Sequence, residues 1–111
     1  LMQSLISQYG LFFFYEGKNK SSQAFSLVVQ EFAKKYGWEV IAISKDGFLL
    51  EGFIDNHLNN GTIQTLGITV FPSLFLVNPQ TADIRPVSFG LVSLDRIETN
   101  IELQFSNLLE E

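Results

Sequence analysis

The chain of 111 residues carries 46% hydrophobic and 17% charged residues, enough apolar material for one compact core and too little charge for disorder. Its formal charge is −5, from 7 Lys+Arg against 12 Asp+Glu. Without a basic run this excludes direct nucleic-acid binding as a main role, because such binding rests on cations that neutralise phosphates. There is no cysteine, which removes disulfides, thiol catalysis, cysteine zinc sites and cysteinyl iron–sulfur clusters.

No stretch approaches the roughly 20 apolar residues of a membrane span, so no membrane insertion by this chain is expected. The opening Leu1-Met2 reads as the start of a domain excised from a longer protein. Residues 1–9 suit the end of a helix with Leu5 and Ile6 inward, broken by Gly10. Leu11 to Tyr15 is a continuous apolar run, the mark of a strand covered on both faces. A polar loop follows from Glu16 to Ser22. Phe25, Val28, Val29, Phe32 and Tyr36 then fall on one stripe of a 3.6-residue period, predicting a helix. Ser21 or Ser22 is expected to cap it, Lys34 and Lys35 suit its C-terminal dipole, and Gly37 its end.

Trp38 to Ser44 reads as the next strand, parallel to the first through a right-handed crossover. Lys45 to Gly61 reads as loop-rich, and Thr62 to Leu66 as a short helix ended by Gly67. Pro72 precedes a second apolar strand, Ser73 to Val77. Asn78 to Asp83 has turn chemistry, and Ile84 to Leu91 should return as the second strand of a hairpin. Ser93 caps a last helix with Asp95 in its first turn and Leu94, Ile97, Ile101 and Phe105 on one face. The expectation is an α/β domain over residues 1–111: a four-stranded mixed sheet with helices on both faces, the thioredoxin-like arrangement.

Two marks make the resemblance specific. In redox-active thioredoxin-like proteins an apolar first strand ends in an aromatic residue, and a Cys-x-x-Cys opens the next helix four residues later. Counting from Tyr15 puts that pair at Asn19 and Ser22, with Lys20 and Ser21 between them. The second mark is a cis-proline before the third core strand, matched by Gly67-Ile68-Thr69-Val70-Phe71-Pro72-Ser73. Together with the closing hairpin and helix, the marks cover most of residues 10–107. Gly10 to Tyr15 and Phe71 to Pro79 resemble the thioredoxin-like domain of the TraF family, whose members help assemble conjugative pili of F-type transfer systems.

That resemblance implies a periplasmic setting and partners among other proteins of the transfer and pilus-assembly machinery. It also implies vestigial active-site positions at Asn19, Lys20, Ser21 and Ser22, and a cis-proline loop at Phe71 and Pro72. Activity does not carry over: exchange needs a thiolate to attack and a second thiol to resolve. No catalytic residue, metal or cofactor is expected. The leading expectation is a redox-inactive interaction domain. The alternatives are a thiol-independent chaperone or isomerase, a remnant oxidoreductase with cysteines elsewhere in the parent, or a structural spacer.

Other candidates read as ordinary. His57 is the sole histidine, and Asp55-Asn56-His57 offers too few ligands for zinc. There is no Gly-x-Ser-x-Gly elbow and no glycine-rich phosphate loop. Asn19-Lys20-Ser21 and Asn60-Gly61-Thr62 match glycosylation acceptors, the latter reading better as a turn. Phe12, Phe13 and Phe14 should be core, Tyr36 and Trp38 should pack at the corner around Gly37, and Lys18 and Lys20 should be a small solvated basic spot.

Overall fold

The computed structural model describes residues 1–106 of the expected 1–111 domain; residues 107–111 lie outside the described residues. The chain runs α1 (Met2–Ile6), β1 (Gly10–Tyr15), α2 (Lys20–Tyr36), β2 (Val40–Ser44), β3 (Asp55–Leu58), α3 (Thr62–Leu66), β4 (Ser73–Asn78), β5 (Asp83–Phe89) and α4 (Leu94–Gln104). The sheet order is β3-β2-β1-β4-β5. β1 is parallel to β2 and antiparallel to β4, and β2 is parallel to β3.

Among the described residues the expected four strands are therefore five. The added strand, β3, lies within the stretch read as loop-rich. Asp55-Asn56-His57-Leu58 has no apolar alternation because it is an exposed edge, held by main-chain pairing to β2. One side-chain link helps: the Tyr15 hydroxyl donates to Asn56 Oδ1 at 2.6 Å, and Asn56 Nδ2 donates to the Leu50 carbonyl at 2.7 Å. The returning strand begins at Asp83 and stops at Phe89, short of Leu91, where Gly90 adopts φ +79°.

Alternation along β1 divides the core. Leu11, Phe13 and Tyr15 join Phe25, Val29 and Phe32 of α2 and Ile97 and Ile101 of α4. Phe14 packs on the other face with Ile43, Phe75 and Ile63 of α3. Phe13 and Phe14 are fully buried as expected, whereas Phe12 is only partly covered, because the short α3 leaves its end of that face open. Trp38 is buried at the corner beside Phe32, and its indole N–H donates to the Tyr9 carbonyl at 3.0 Å. Tyr36 packs on the Phe32 ring, and its hydroxyl and Lys35 both donate to Glu98 of α4, clasping the two helices.

Candidate functional site

The α2 start is capped by Asn19, not by Ser21 or Ser22. Asn19 has extended backbone angles (φ −85°, ψ 129°), and its Oδ1 accepts the Ser22 N–H at 2.9 Å. An asparagine one residue ahead of the first helical turn reaches back to that donor more directly than a serine already inside it. The Asn19 N–H donates to the Glu16 carbonyl at 2.9 Å. Ser22 is fully buried, and its hydroxyl accepts the Glu16 N–H at 3.1 Å. Gln23 Nε2 closes the loop by donating to the Gly17 carbonyl at 3.0 Å. Asn19 and Ser22 thus both hold the loop onto the helix. Lys20 and Ser21 between them are exposed.

Asp46, just past β2, is the residue that sequence reasoning missed. Its carboxylate accepts the N–H groups of Gly17 at 2.8 Å, Lys18 at 3.0 Å and Phe48 at 3.1 Å, and the Ser44 hydroxyl at 3.1 Å. Burial pushes its pKa up, but the N–H groups of Lys18, Gly17 and Phe48 and the Ser44 hydroxyl outweigh it and bring the value from 3.8 to about 2. The carboxylate is the anchor of the whole loop. Gly17 lies so close to the Phe48 carbonyl that a Cβ there would sit 2.0 Å from its oxygen. Lys18 is not simply solvated: its Nζ lies 3.9 Å from the centroid of the Phe48 ring, a cation–π contact.

The folded pKa of Asp46 is depressed, so its stabilisation is complete above about pH 4 and is lost as pH falls through about 2. Discounted for partial exposure, the effect is roughly 1–2 kcal/mol. Urea unfolding at pH 6 and pH 2 should show this loss in the native chain. Asp46→Asn should narrow the gap by that amount; an unchanged gap would remove Asp46 as its source.

The second segment approaches from β4. Phe14 of β1 lies opposite Ser73, so the residues before Ser73 sit at the same end of the sheet as the loop after Tyr15. The Phe71–Pro72 peptide is cis. The Pro72 carbonyl accepts the Gly90 N–H at 2.7 Å, and the Ser73 hydroxyl donates to the Val70 carbonyl. Among the described residues neither main-chain group of Phe71 has a hydrogen-bond partner. Lys45 joins the two segments, with its Nζ 3.5 Å from Glu16 Oε2 and 5.0 Å from the centroid of the Phe71 ring. Val70, Phe89 and Leu91 are exposed beside this turn, and Phe48 and Leu49 beside the loop. The end of the sheet is therefore apolar around an open stretch of main chain.

The two concave regions described lie elsewhere. One, of about 330 Å³, is lined by Ala33, Trp38, Val40, Phe53 and Ile54. The other, of about 440 Å³, lies near Tyr9, Gly37 and Pro79. His57 is exposed and bonded to the neighbouring Asp55 carboxylate. Among the described residues no three His, Cys, Asp or Glu side chains gather closely enough to hold a metal ion. Gly61 takes φ +91° before α3, the turn expected at Asn60-Gly61.

The family described as TraF, F plasmid transfer operon protein, matches residues 1–102. Protein TraF of Escherichia coli (strain K12) is 34% identical over 107 residues, which cover 96% of this chain and 42% of that protein, so the chain spans under half of that relative's length. Among solved structures, MTB dsbF in its mixed oxidized and reduced forms gives a TM-score of 0.61 at 16% identity, over 88% of this chain and 84% of the other. The thioredoxin domain of a thiol-disulfide oxidoreductase from Bacteroides vulgatus gives 0.58 at 15% identity, over 92% and 82%. These likenesses show the expected α/β thioredoxin-like fold.

Proposed function

The chain belongs to the TraF family of F plasmid transfer operon proteins, and on that premise we propose that it is a redox-inactive interaction module in assembly of a bacterial conjugative pilus. It acts in the periplasm as a thioredoxin-like domain of a longer protein and binds other proteins of the transfer machinery. The observation that carries this reading is the sheet end at Asn19 and Phe71. Asn19 and Ser22, the positions that the family resemblance implies for a thiol pair, are both engaged in closing a loop. The main chain of Phe71 beside them is open and rimmed by Val70, Phe89 and Leu91. An extended segment can pair with such main-chain groups and seat side chains on the apolar rim without any thiol. Among the described residues no helix is long and apolar enough to cross a membrane.

Charge placed on the rim should interfere without unfolding the domain. Val70→Glu and Phe89→Glu suit this test because both side chains are exposed; Ser73, fully buried, does not. Glu98 is no neutral control, since it clasps Lys35 and Tyr36. The exposed α4 residues Asp95 and Glu102 serve instead. In a strain lacking the native gene, the rim variants should lower pilus formation about tenfold, the loss of roughly 1.4 kcal/mol of binding, while Asp95→Lys and Glu102→Lys should not. The reverse pattern would move the binding face to α4. Insulin-reducing activity above background would overturn the redox-inactive reading.

A further inference from the structure

The two edges of the sheet are unlike. β5 is guarded as edges usually are, with Pro86 and Arg85 within it and a bulge at Val87, which is skipped between the Leu74–Ser88 and Phe75–Pro86 pairs. β3 has no proline, no lysine and no bulge, and its outer side pairs with no strand among the described residues. The Asn59 N–H donates to the Ser44 carbonyl at 2.9 Å. In a parallel ladder the N–H and C=O of one residue point to the same side and alternate along the strand. The main-chain groups of Asp55, His57 and Asn59 therefore face β2, and those of Asn56 and Leu58 face outward.

We infer that this edge binds a second copy of the chain, β3 against β3, antiparallel about a two-fold axis at Asn56. The occupant follows from the self-complementarity of the strand. This axis sets Asn56 opposite its own copy, with outward main-chain groups exchanged. Ile54, fully exposed, and Leu58, more than half exposed, fall opposite each other on the α2 side. Asp55 and His57, with side chains 50% and 60% exposed, fall opposite each other on the α3 side. That Asp–His pair occupies the non-hydrogen-bonded site, where facing side chains come closest. Both copies make the same contacts, as an isologous interface requires. Moving the axis to Asp55 opposes two carboxylates, and moving it to His57 separates Asp55 from His57. The partner's Leu58 would also cover the mouth of the apolar groove beside Ile54.

The association is independent of the rim at Phe71. A four-residue edge is small, so the complex belongs with weak, reversible interfaces. Sedimentation equilibrium up to about 1 mM, the scale of the weakest specific associations, should show dimer in exchange with monomer. Leu58→Lys removes two apolar pairs by symmetry and should raise the dissociation constant about tenfold, with an unchanged far-ultraviolet spectrum. Asp55→Lys should weaken the dimer as well, and Asp55→Lys with His57→Glu should restore it, because a lysine and a glutamate then face each other across the axis. Monomer throughout, a dimer indifferent to Leu58→Lys, or no rescue in the double variant would each overturn the inference.

Discussion

Replacing Gly17 by valine should lower the unfolding free energy by about 3 kcal/mol, from overpacking with the loss of attached hydrogen bonds. The physical cause is a backbone collision. A Cβ at this position would lie 2.0 Å from the Phe48 carbonyl oxygen and 2.7 Å from its carbon. No rotamer change relieves contact with main chain, so residues 46–48 must retreat. Their retreat pulls the Asp46 carboxylate off the Gly17 and Lys18 N–H groups. Gly47→Ala supplies the contrast: its Cβ meets nothing, and only its φ of +84° opposes a side chain, costing about 1 kcal/mol. Urea titration should rank Gly17→Val well below Gly47→Ala. Equal effects would mean the loop yields freely and Asp46 does not anchor it.

Asn19→Cys with Ser22→Cys should convert a chain with no thiol chemistry into one that forms an internal disulfide and reduces insulin measurably. Asn19 is exposed and Ser22 is fully buried, so an attacking thiol would be accessible and a resolving thiol sheltered behind it. Both sit at the start of a helix of 17 residues, whose N-terminal field lowers a thiol pKa. The exchange removes the Asn19 cap, costing about 1 kcal/mol, and takes the Ser22 acceptor from the Glu16 N–H. The variant should therefore be less stable and a poor couple, but a couple nonetheless. Each single cysteine variant should show no internal disulfide. If the double variant folds and stays reduced in oxidising buffer, Asn19 and Ser22 are not the positions aligned with a redox pair.

The parts of the fold that were legible in the sequence are those that burial alone dictates. The run Leu11 to Tyr15 had to be a central strand, and the stripe from Phe25 to Tyr36 had to face it. β3 was illegible because an exposed edge strand imposes no apolar pattern; Asn56 looks like a turn residue until the Tyr15 hydroxyl is seen beside it. The start of α2 was legible in the polar loop ahead of the Phe25 stripe, but its cap was not, since Asn19, Ser21 and Ser22 all carry side-chain acceptors and only the entry angle of the chain selects one. Asp46 left no local signal. Its partners Gly17 and Lys18 lie 29 and 28 residues away, brought within reach by the β1–β2 pairing. The apolar rim was equally hidden, because Phe89 and Leu91 read as ordinary strand residues until the hairpin places them beside the turn that holds Val70.

The unequal cover of the two sheet faces bears on how the molecule breathes. Among the described residues the face under α2 and α4 gathers 17 buried residues and the α3 face only five. Opening free energies follow the apolar surface each unit holds, so α3 and the turn after it form a separate cooperative unit of low opening energy. Amide exchange should then fall into two classes. Protons of β1 and α2 would wait for global unfolding, while those of residues 63–68 would exchange through an excursion that leaves the α2 side intact. Phe71, at the margin of that thinner unit, thus sits on a surface able to adjust its shape while its scaffold holds still.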